Sequence, residues 1–213
     1  MEWLIASRSQ GKLAELVPIL ALHGVTGIGL DAAGVRYAAA EDDIERFATF
    51  EENALAKAGY FAQRTGLPCV ADDSGLCIEA LDGRPGVRSR RFASDLGVRM
   101  HNVTEDTANN RAMLDACWDS GWAPPWAAHY ACCAAYADAG GTCVAFGRTD
   151  GAIVPESEGA GGFGYDPHFM SDDLRVTFAT ASREAKARVS HRGRAFANLL
   201  TRMQAMQFAA SAR

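Results

Sequence analysis

The chain has 213 residues, 48% hydrophobic and 22% charged, enough for one large domain or two lobes sharing a core. A net charge of -5 leaves no basic field for duplex nucleic acid, so a phosphate-bearing partner would need a local basic pocket. Its six cysteines, Cys69, Cys77, Cys117, Cys132, Cys133 and Cys143, form no C-x-x-C pair, and neither a leader pattern nor a bilayer-length apolar run is present. These features predict reduced thiols in a cytoplasmic protein with no zinc site, membrane partner or nucleic-acid polymer.

In chain order, Trp3-Leu4-Ile5-Ala6 reads as a short buried strand that breaks at Ser7-Arg8-Ser9-Gln10-Gly11. A helix from about Lys12 places Leu13, Leu16, Val17 and Leu20 on one face. Val25 to Leu30 suggests a second strand, and Asp31 to Arg46 is acidic and irregular. Thr49-Phe50-Glu51-Glu52 is a capping box opening a helix that stops at Gly66. Pro68 to Ala71 then delivers Asp72-Asp73-Ser74-Gly75, with Leu76-Cys77-Ile78 as a further strand and Asp82 to Gly86 as a loop. Thr107 to Trp118 reads as a helix. Trp126 to Ala137 and Thr142 to Arg148 read as strands around a Gly140-Gly141 turn, with Ile153-Val154 a short one. Gly159 to Gly164 is a glycine-rich loop, and the last long helix starts near Ser190 with Phe196, Leu199, Leu200 and Met203 on it. Helices alternating with strands early and a hairpin midway predict an α/β architecture with a mixed sheet.

Five segments could carry chemistry. Adjacent aspartates repel each other, so Asp72-Asp73 at the end of a buried strand calls for something that offsets the charge, a divalent cation or a reacting water; alone, a polar turn capped by Asp73 explains it equally well. Ser7-Arg8-Ser9-Gln10-Gly11-Lys12 lies on a strand-to-helix turn, a natural phosphate cradle, though it is not a Walker loop because Ala6 and Leu13 stand where that pattern needs glycine and Ser or Thr. The acidic stretch Glu41-Asp42-Asp43-Ile44-Glu45 reads mostly as a solvated loop, yet one carboxylate could join Asp73 at a magnesium ion. Gly161-Gly162-Phe163-Gly164-Tyr165-Asp166 lets backbone approach a flat ligand while Phe163 offers a stacking face; Tyr165 suits the core as well. Lys186, and His191 and Arg192 after the capping residue Ser190, put cations where an anionic partner is wanted. His23, His101, His129 and His168 read as structural or surface residues, and Trp118, Trp122 and Trp126 as packing residues.

Six pieces in this order resemble the inosine triphosphate pyrophosphatase (Ham1) family: Ala6-Ser7-x-x-x-Gly11-Lys12, Thr49-Phe50-Glu51-Glu52-Asn53-Ala54, Ala71-Asp72-Asp73-Ser74-Gly75-Leu76, Gly83-x-Pro85-Gly86, Gly161 to Pro167, and Ser190-His191-Arg192-Gly193. The resemblance implies a single domain over residues 1–213 with no separate linker, an elongated mixed sheet whose helices form two lobes around a central active-site cleft, a homodimer and Mg²⁺ dependence. It implies hydrolysis of ITP, dITP or XTP to the monophosphate and pyrophosphate. Carried over by position, Ser7, Arg8, Ser9, Gln10, Gly11 and Lys12 would hold the triphosphate, Asp73 would be general base and metal ligand, Ser74 would touch substrate, and Glu45 would be the second metal carboxylate. Phe163, Gly164, Tyr165, Asp166, Lys186, His191 and Arg192 would surround the nucleotide. Two departures stand out: Ser9 replaces the family's usual Asn, and Ile44 precedes Glu45 where paired glutamates are usual, which leaves Glu41 and Asp42 as alternative ligands. Three other readings compete: an aspartyl-nucleophile phosphatase, which commonly needs D-x-D where this chain has Asp72-Asp73-Ser74; an inactive nucleotide-binding module; and a Maf-like pyrophosphatase, from which Ser190-His191-Arg192 would be absent.

Overall fold

The computed structural model describes residues 2–98 and 101–211, with residues 207–211 described by their backbone alone. Six strands form one mixed sheet: β1 Glu2–Ile5, β2 Thr26–Gly29, β3 Cys69–Ile78, β4 Trp126–Asp138, β5 Gly141–Ile153 and β6 Phe169–Ser171, in the order β2-β1-β3-β4-β5-β6. β1 pairs in parallel with both β2 and β3. Parallel neighbours need crossovers, which α1 Gln10–Leu22 and α2 Phe50–Thr65 supply. The remaining helices are α3 Phe92–Asp95, α4 Glu105–Asp119, α5 Arg183–Val189 and α6 His191–Ser211. No helix among the described residues is long and apolar enough to cross a membrane.

The chain divides into two compact units. The first comprises Met1–Asp73, Cys132–Gly147 and His191–Arg213. Its strands alternate between two apolar clusters, as a period of two demands. Ile5, Val70, Cys132 and Ala134 pack with Leu16 and Leu20 of α1 and Phe196 and Leu199 of α6. Leu4, Ala6, Cys69, Ala71, Cys133 and Ala135 pack with Ala54, Ala58 and Phe61 of α2. Adjacent Cys132 and Cys133 thus lie in different clusters, and all six thiols are unbridged. The second unit, Ser74–Ala131 and Arg148–Ser190, has its own core of Leu76, Ile78, Met113, Trp126, Tyr130, Phe169 and Phe178 with neighbours.

The expected elements stand with the following corrections. β5 runs unbroken from Gly141 to Ile153 where the sequence suggests a strand to Arg148 and a separate short one at Ile153-Val154. β3 runs unbroken through Asp72-Asp73-Ser74-Gly75 where the sequence suggests a strand, a turn and a second strand. α1 begins at Gln10 and α4 at Glu105, each behind a hydroxyl cap, Ser9 and Thr104, rather than two residues further on. Val17 is exposed and Ile19 takes its place in the core; Trp126 is buried and Trp118, though more than half exposed, packs edge-on against it with ring centres 5.0 Å apart, whereas Trp122 is exposed. The short elements α3, α5 and β6 carry too few residues to show a periodicity.

Candidate active site

Leaving β1, the chain folds back on its own side chains. The Ser9 N–H donates to the Ser7 hydroxyl at 3.2 Å, and the Ser9 hydroxyl accepts from the Lys12 N–H at 3.4 Å. Gln10, Gly11 and Lys12 therefore form the first turn of α1, at the positive end of its dipole. From there the Lys12 ammonium reaches β3, 3.1 Å from Asp72 Oδ2 and 3.3 Å from the Asp72 carbonyl oxygen. Arg8 lies outside this group. Its guanidinium grips Glu41 at 2.8 and 3.0 Å and Asp31 at 2.8 Å, and Glu41 also accepts from Arg64 at 2.9 Å. Asp42 accepts from the Tyr37 hydroxyl. Glu41 and Asp42 are thus engaged away from β3, whereas Glu45 pairs with Lys57 and adds its charge to the surroundings of Asp73.

Asp72 and Asp73 are neighbours with opposite electrostatics. Asp72 is 1% exposed; Arg192 Nε and Nη2 both lie 3.1 Å from its Oδ2, and Lys12 is the second cation on it. Burial alone would raise its pKa, but Lys12, Arg192 and Lys57 hold the carboxyl far below the usual carboxylate range. Arg192 is itself buried and is shared between Asp72 and Glu15 of α1; those anions outweigh burial and keep it charged. Asp73 is 8% exposed and accepts a hydrogen bond from Asn53 Nδ2 at 2.9 Å. Burial, reinforced by Glu45, lifts its pKa above the usual value despite Lys57, Lys12 and Asn53. One aspartate is held as an anion by its cations, and burial opposes the charge of its neighbour.

Both polar anchors on α2 lie one turn apart. Asn53 also holds the loop before the helix, accepting from the Phe47 N–H at 2.9 Å and donating to the Phe47 carbonyl at 3.3 Å. Lys57 is buried among anions; burial opposes its charge, yet Glu45, Asp72 and Asp73 raise its pKa. Burial would likewise raise the Glu45 pKa, but Lys57 and Lys12 hold it down. Among the described residues no three His, Cys, Asp or Glu side chains converge as a metal cage. Glu45 and Asp73 nevertheless feel each other's charge and offer hard oxygen donors. That donor set fits Mg²⁺, which takes few protein carboxylates and fills its shell with water and phosphate oxygens.

The second unit holds the remaining candidates. A Cβ at Gly75 would stand 2.1 Å from the Gly86 carbonyl oxygen and 2.5 Å from Ser89 Oγ, so only glycine admits that approach. Ser89 locks it, donating to the Gly86 carbonyl at 2.6 Å and accepting from the Leu76 N–H at 2.9 Å. Ser74 is half-buried at the neighbouring position of β3. In the glycine-rich loop, Asp166 accepts from the Phe163 N–H at 2.9 Å and from the Lys186 ammonium at 2.6 Å, and that ammonium lies 5.1 Å from the centre of the half-buried Phe163 ring. Tyr165 belongs to the core, with its hydroxyl donating to the Ser89 carbonyl at 2.6 Å.

Of the sequence-derived candidates, the first unit brings together Lys12, Asp73, Glu45 and Arg192, and the second unit brings together Phe163, Asp166 and Lys186. His191 and Arg192 are buried, and Arg192 is engaged by Asp72 and Glu15. The sequence reading missed the pairing role of Asp72 and the residues Glu15, Asn53 and Lys57. Asn53 and Lys57 carried a readable signal, since they flank the stripe Ala54, Ala58, Phe61 at a four-residue spacing on an amphipathic helix.

A parallel β2-β1-β3 core whose third strand carries an acidic pair, held by cations from α1, α2 and α6, defines an α/β protein with a charged centre on a crossover-built sheet. The chain belongs to the Ham1 family, whose model matches residues 3–202. It is 44% identical over 206 residues to a dITP/XTP pyrophosphatase of Nocardia farcinica, covering 95% of each chain. It is 40% identical over 207 residues to the dITP/XTP pyrophosphatase of Ralstonia nicotianae, covering 94% of this chain and 96% of the relative. Among solved structures, a HAM1 protein from Coxiella burnetii superposes with a TM-score of 0.76 at 31% identity, over 98% of this chain and 99% of that one. A nucleoside-triphosphatase/dITP/XTP pyrophosphatase from Mycobacterium abscessus gives 0.67 at 38% identity, over 94% and 99%.

Proposed function

We propose that this protein hydrolyses deaminated purine nucleoside triphosphates (ITP, dITP and XTP) to the monophosphate and pyrophosphate, clearing them from the nucleotide pool. The observation that carries the reading is the convergence of Lys12 and Arg192 on Asp72, with Asp73, Glu45 and Lys57 beside them. The dITP/XTP pyrophosphatases of Nocardia farcinica and Ralstonia nicotianae, matched along nearly their full length, support the substrate class.

In this reading the first turn of α1 receives the triphosphate. Two contacts of the Lys12 ammonium go to Asp72, and a lysine has three donors, so a third is available for a phosphate oxygen. Asp73 orients the attacking water and accepts its proton. Arg192 acts through Asp72, keeping that carboxylate ionised so that Lys12 stays fixed. In the second unit, Phe163 offers its ring to the base, and Lys186 is held by Asp166. Glu45 and Asp73 would hold Mg²⁺, which when bound supplies charge neutralisation on the phosphate oxygens. Hypoxanthine and xanthine carry a C6 oxygen that accepts where adenine donates, so donors facing that position would reject adenine, while guanine shares the oxygen and differs by its 2-amino group. Six unbridged thiols support a cytoplasmic setting, and exposed Trp118 and Trp122 support a homodimer.

A panel of nucleoside triphosphates with Mg²⁺, followed by measuring monophosphate and pyrophosphate together, tests the proposal. Equimolar monophosphate and pyrophosphate from ITP and XTP, with ATP nearly inert, is the expected result. Stepwise release of orthophosphate would instead favour a phosphatase, and tight ITP binding without turnover an inactive module.

A further inference from the structure

We propose that Asp106 and Asn110 are positioning residues for the nucleotide: together they clamp Gly164 and so set the Phe163 ring. The clamp rests on the reading above only in giving Phe163 to the base.

Both polar groups of one glycine are gripped by one helix. The Gly164 N–H donates to Asp106 Oδ2 at 2.8 Å, and the Gly164 carbonyl accepts from Asn110 Nδ2 at 2.8 Å. Asp106 and Asn110 stand four residues apart on α4, hence on the same face. Gly164 has φ +64, a left-handed conformation that glycine adopts without strain, so the grip holds the loop in a shape its own sequence permits. Its neighbours are fixed separately: the Phe163 N–H by Asp166 and the Tyr165 hydroxyl by the Ser89 carbonyl. At the glycine between them α4 takes hold of the loop backbone through both the N–H and the carbonyl.

Asparagine is a poor choice at position 110 on stability grounds alone. It is a weak helix former in a helix interior, and its Oδ1 is buried without a hydrogen-bond partner among the described residues. Turning the amide around would set that oxygen against the Gly164 carbonyl, so what the position needs is the donor. Adjacent Asn109 serves the fold instead, accepting from the Ala93 N–H and donating to the Arg90 carbonyl, each at 2.8 Å. Two neighbouring asparagines thus have separable tasks.

Isosteric variants separate them experimentally. Asn110→Asp removes the donor at constant size, Asp106→Ala removes the acceptor, and Asp106→Asn keeps an acceptor. Each is measured twice: by steady-state kinetics on ITP with Mg²⁺, and by amide hydrogen exchange of segment 161–166 without nucleotide. Loss of one such contact predicts a KM raised about tenfold with kcat within about twofold for Asn110→Asp and Asp106→Ala, with faster exchange in the segment. Asp106→Asn is expected to restore both readouts. Asn109→Ala is expected to lower Tm and leave the exchange of 161–166 unchanged. Unchanged exchange in both Asn110→Asp and Asp106→Ala, a fall in kcat at constant KM, or equal loosening of the segment by Asn109→Ala would overturn the clamp. If Asn110→Asp fails to fold, Asp106→Ala, at an exposed position, decides. The exchange readout needs no substrate, so a wild-type protein inert on ITP would sink the functional reading while the clamp is still judged.

Discussion

Asp72 and Asp73 are adjacent carboxylates for which opposite substitution effects are expected. Asp72 is the anion on which Lys12 and Arg192 meet, and removing its charge leaves a buried guanidinium short of a partner. Asp72→Asn is therefore expected to destabilise the fold by about 3–5 kcal/mol, read from denaturant midpoints at constant m-value. The same pairing sets an acid limit. A carboxylate whose native pKa lies below its unfolded value stabilises the fold above the unfolded value and loses that contribution as pH falls through its native one. For Asp72 the loss begins below about pH 4 and continues downward, so Asp72→Asn should flatten the acid limb of the stability profile. Asp73 has the reverse sign: its raised native pKa means that its charge opposes folding at neutral pH. Asp73→Asn should raise Tm while cutting kcat by about 10³-fold and leaving nucleotide binding in place. A variant with near-normal ITP turnover would remove Asp73 from the chemistry.

At the scale of elements, β3 shows what the sequence could and could not convey. The acidic pair and the glycine after it suggest a turn, because adjacent aspartates and Gly are poor strand residues. The strand continues because the Asp72 charge is met by Lys12 and Arg192, 60 and 120 residues away along the chain. Gly75 is there for a close backbone approach rather than for a bend, and that reason is invisible until Gly86 and Ser89 are placed. Gly75→Ala should cost about 3 kcal/mol or more, checked by thermal unfolding, because the clash is with backbone. α2 was legible from its cap, and α1 and α6 from apolar spacing, whereas the Ser9 and Thr104 caps that open α1 and α4 were not; the motifs holding Lys12, Asp73 and Phe163 stood out as patterns. Arg8 was not, since nothing in a strand-to-helix turn says that its guanidinium faces Glu41 and Asp31 rather than a ligand. Lys57 and Asn53 were hidden in plain view on α2, polar residues at a spacing that puts them beside the buried stripe.

At the scale of the whole molecule, an acidic chain gathers cations locally. Positions 12, 57, 72, 73 and 192 all belong to the first unit, although the chain between Gly147 and His191 lies in the second. Parallel β1 and β3 together with α6 thus assemble a charged centre from segments remote in sequence. The second unit contributes its own closed set of contacts, Gly75 on Gly86 and Asp166 on Lys186. The central claim is that water attacks the α-phosphorus of the triphosphate with Asp73 taking the proton. Hydrolysis of ITP in water labelled with heavy oxygen, followed by mass spectrometry of the products, tests it most directly. The account predicts one labelled oxygen in the monophosphate and none in the pyrophosphate; label in pyrophosphate or orthophosphate would contradict it.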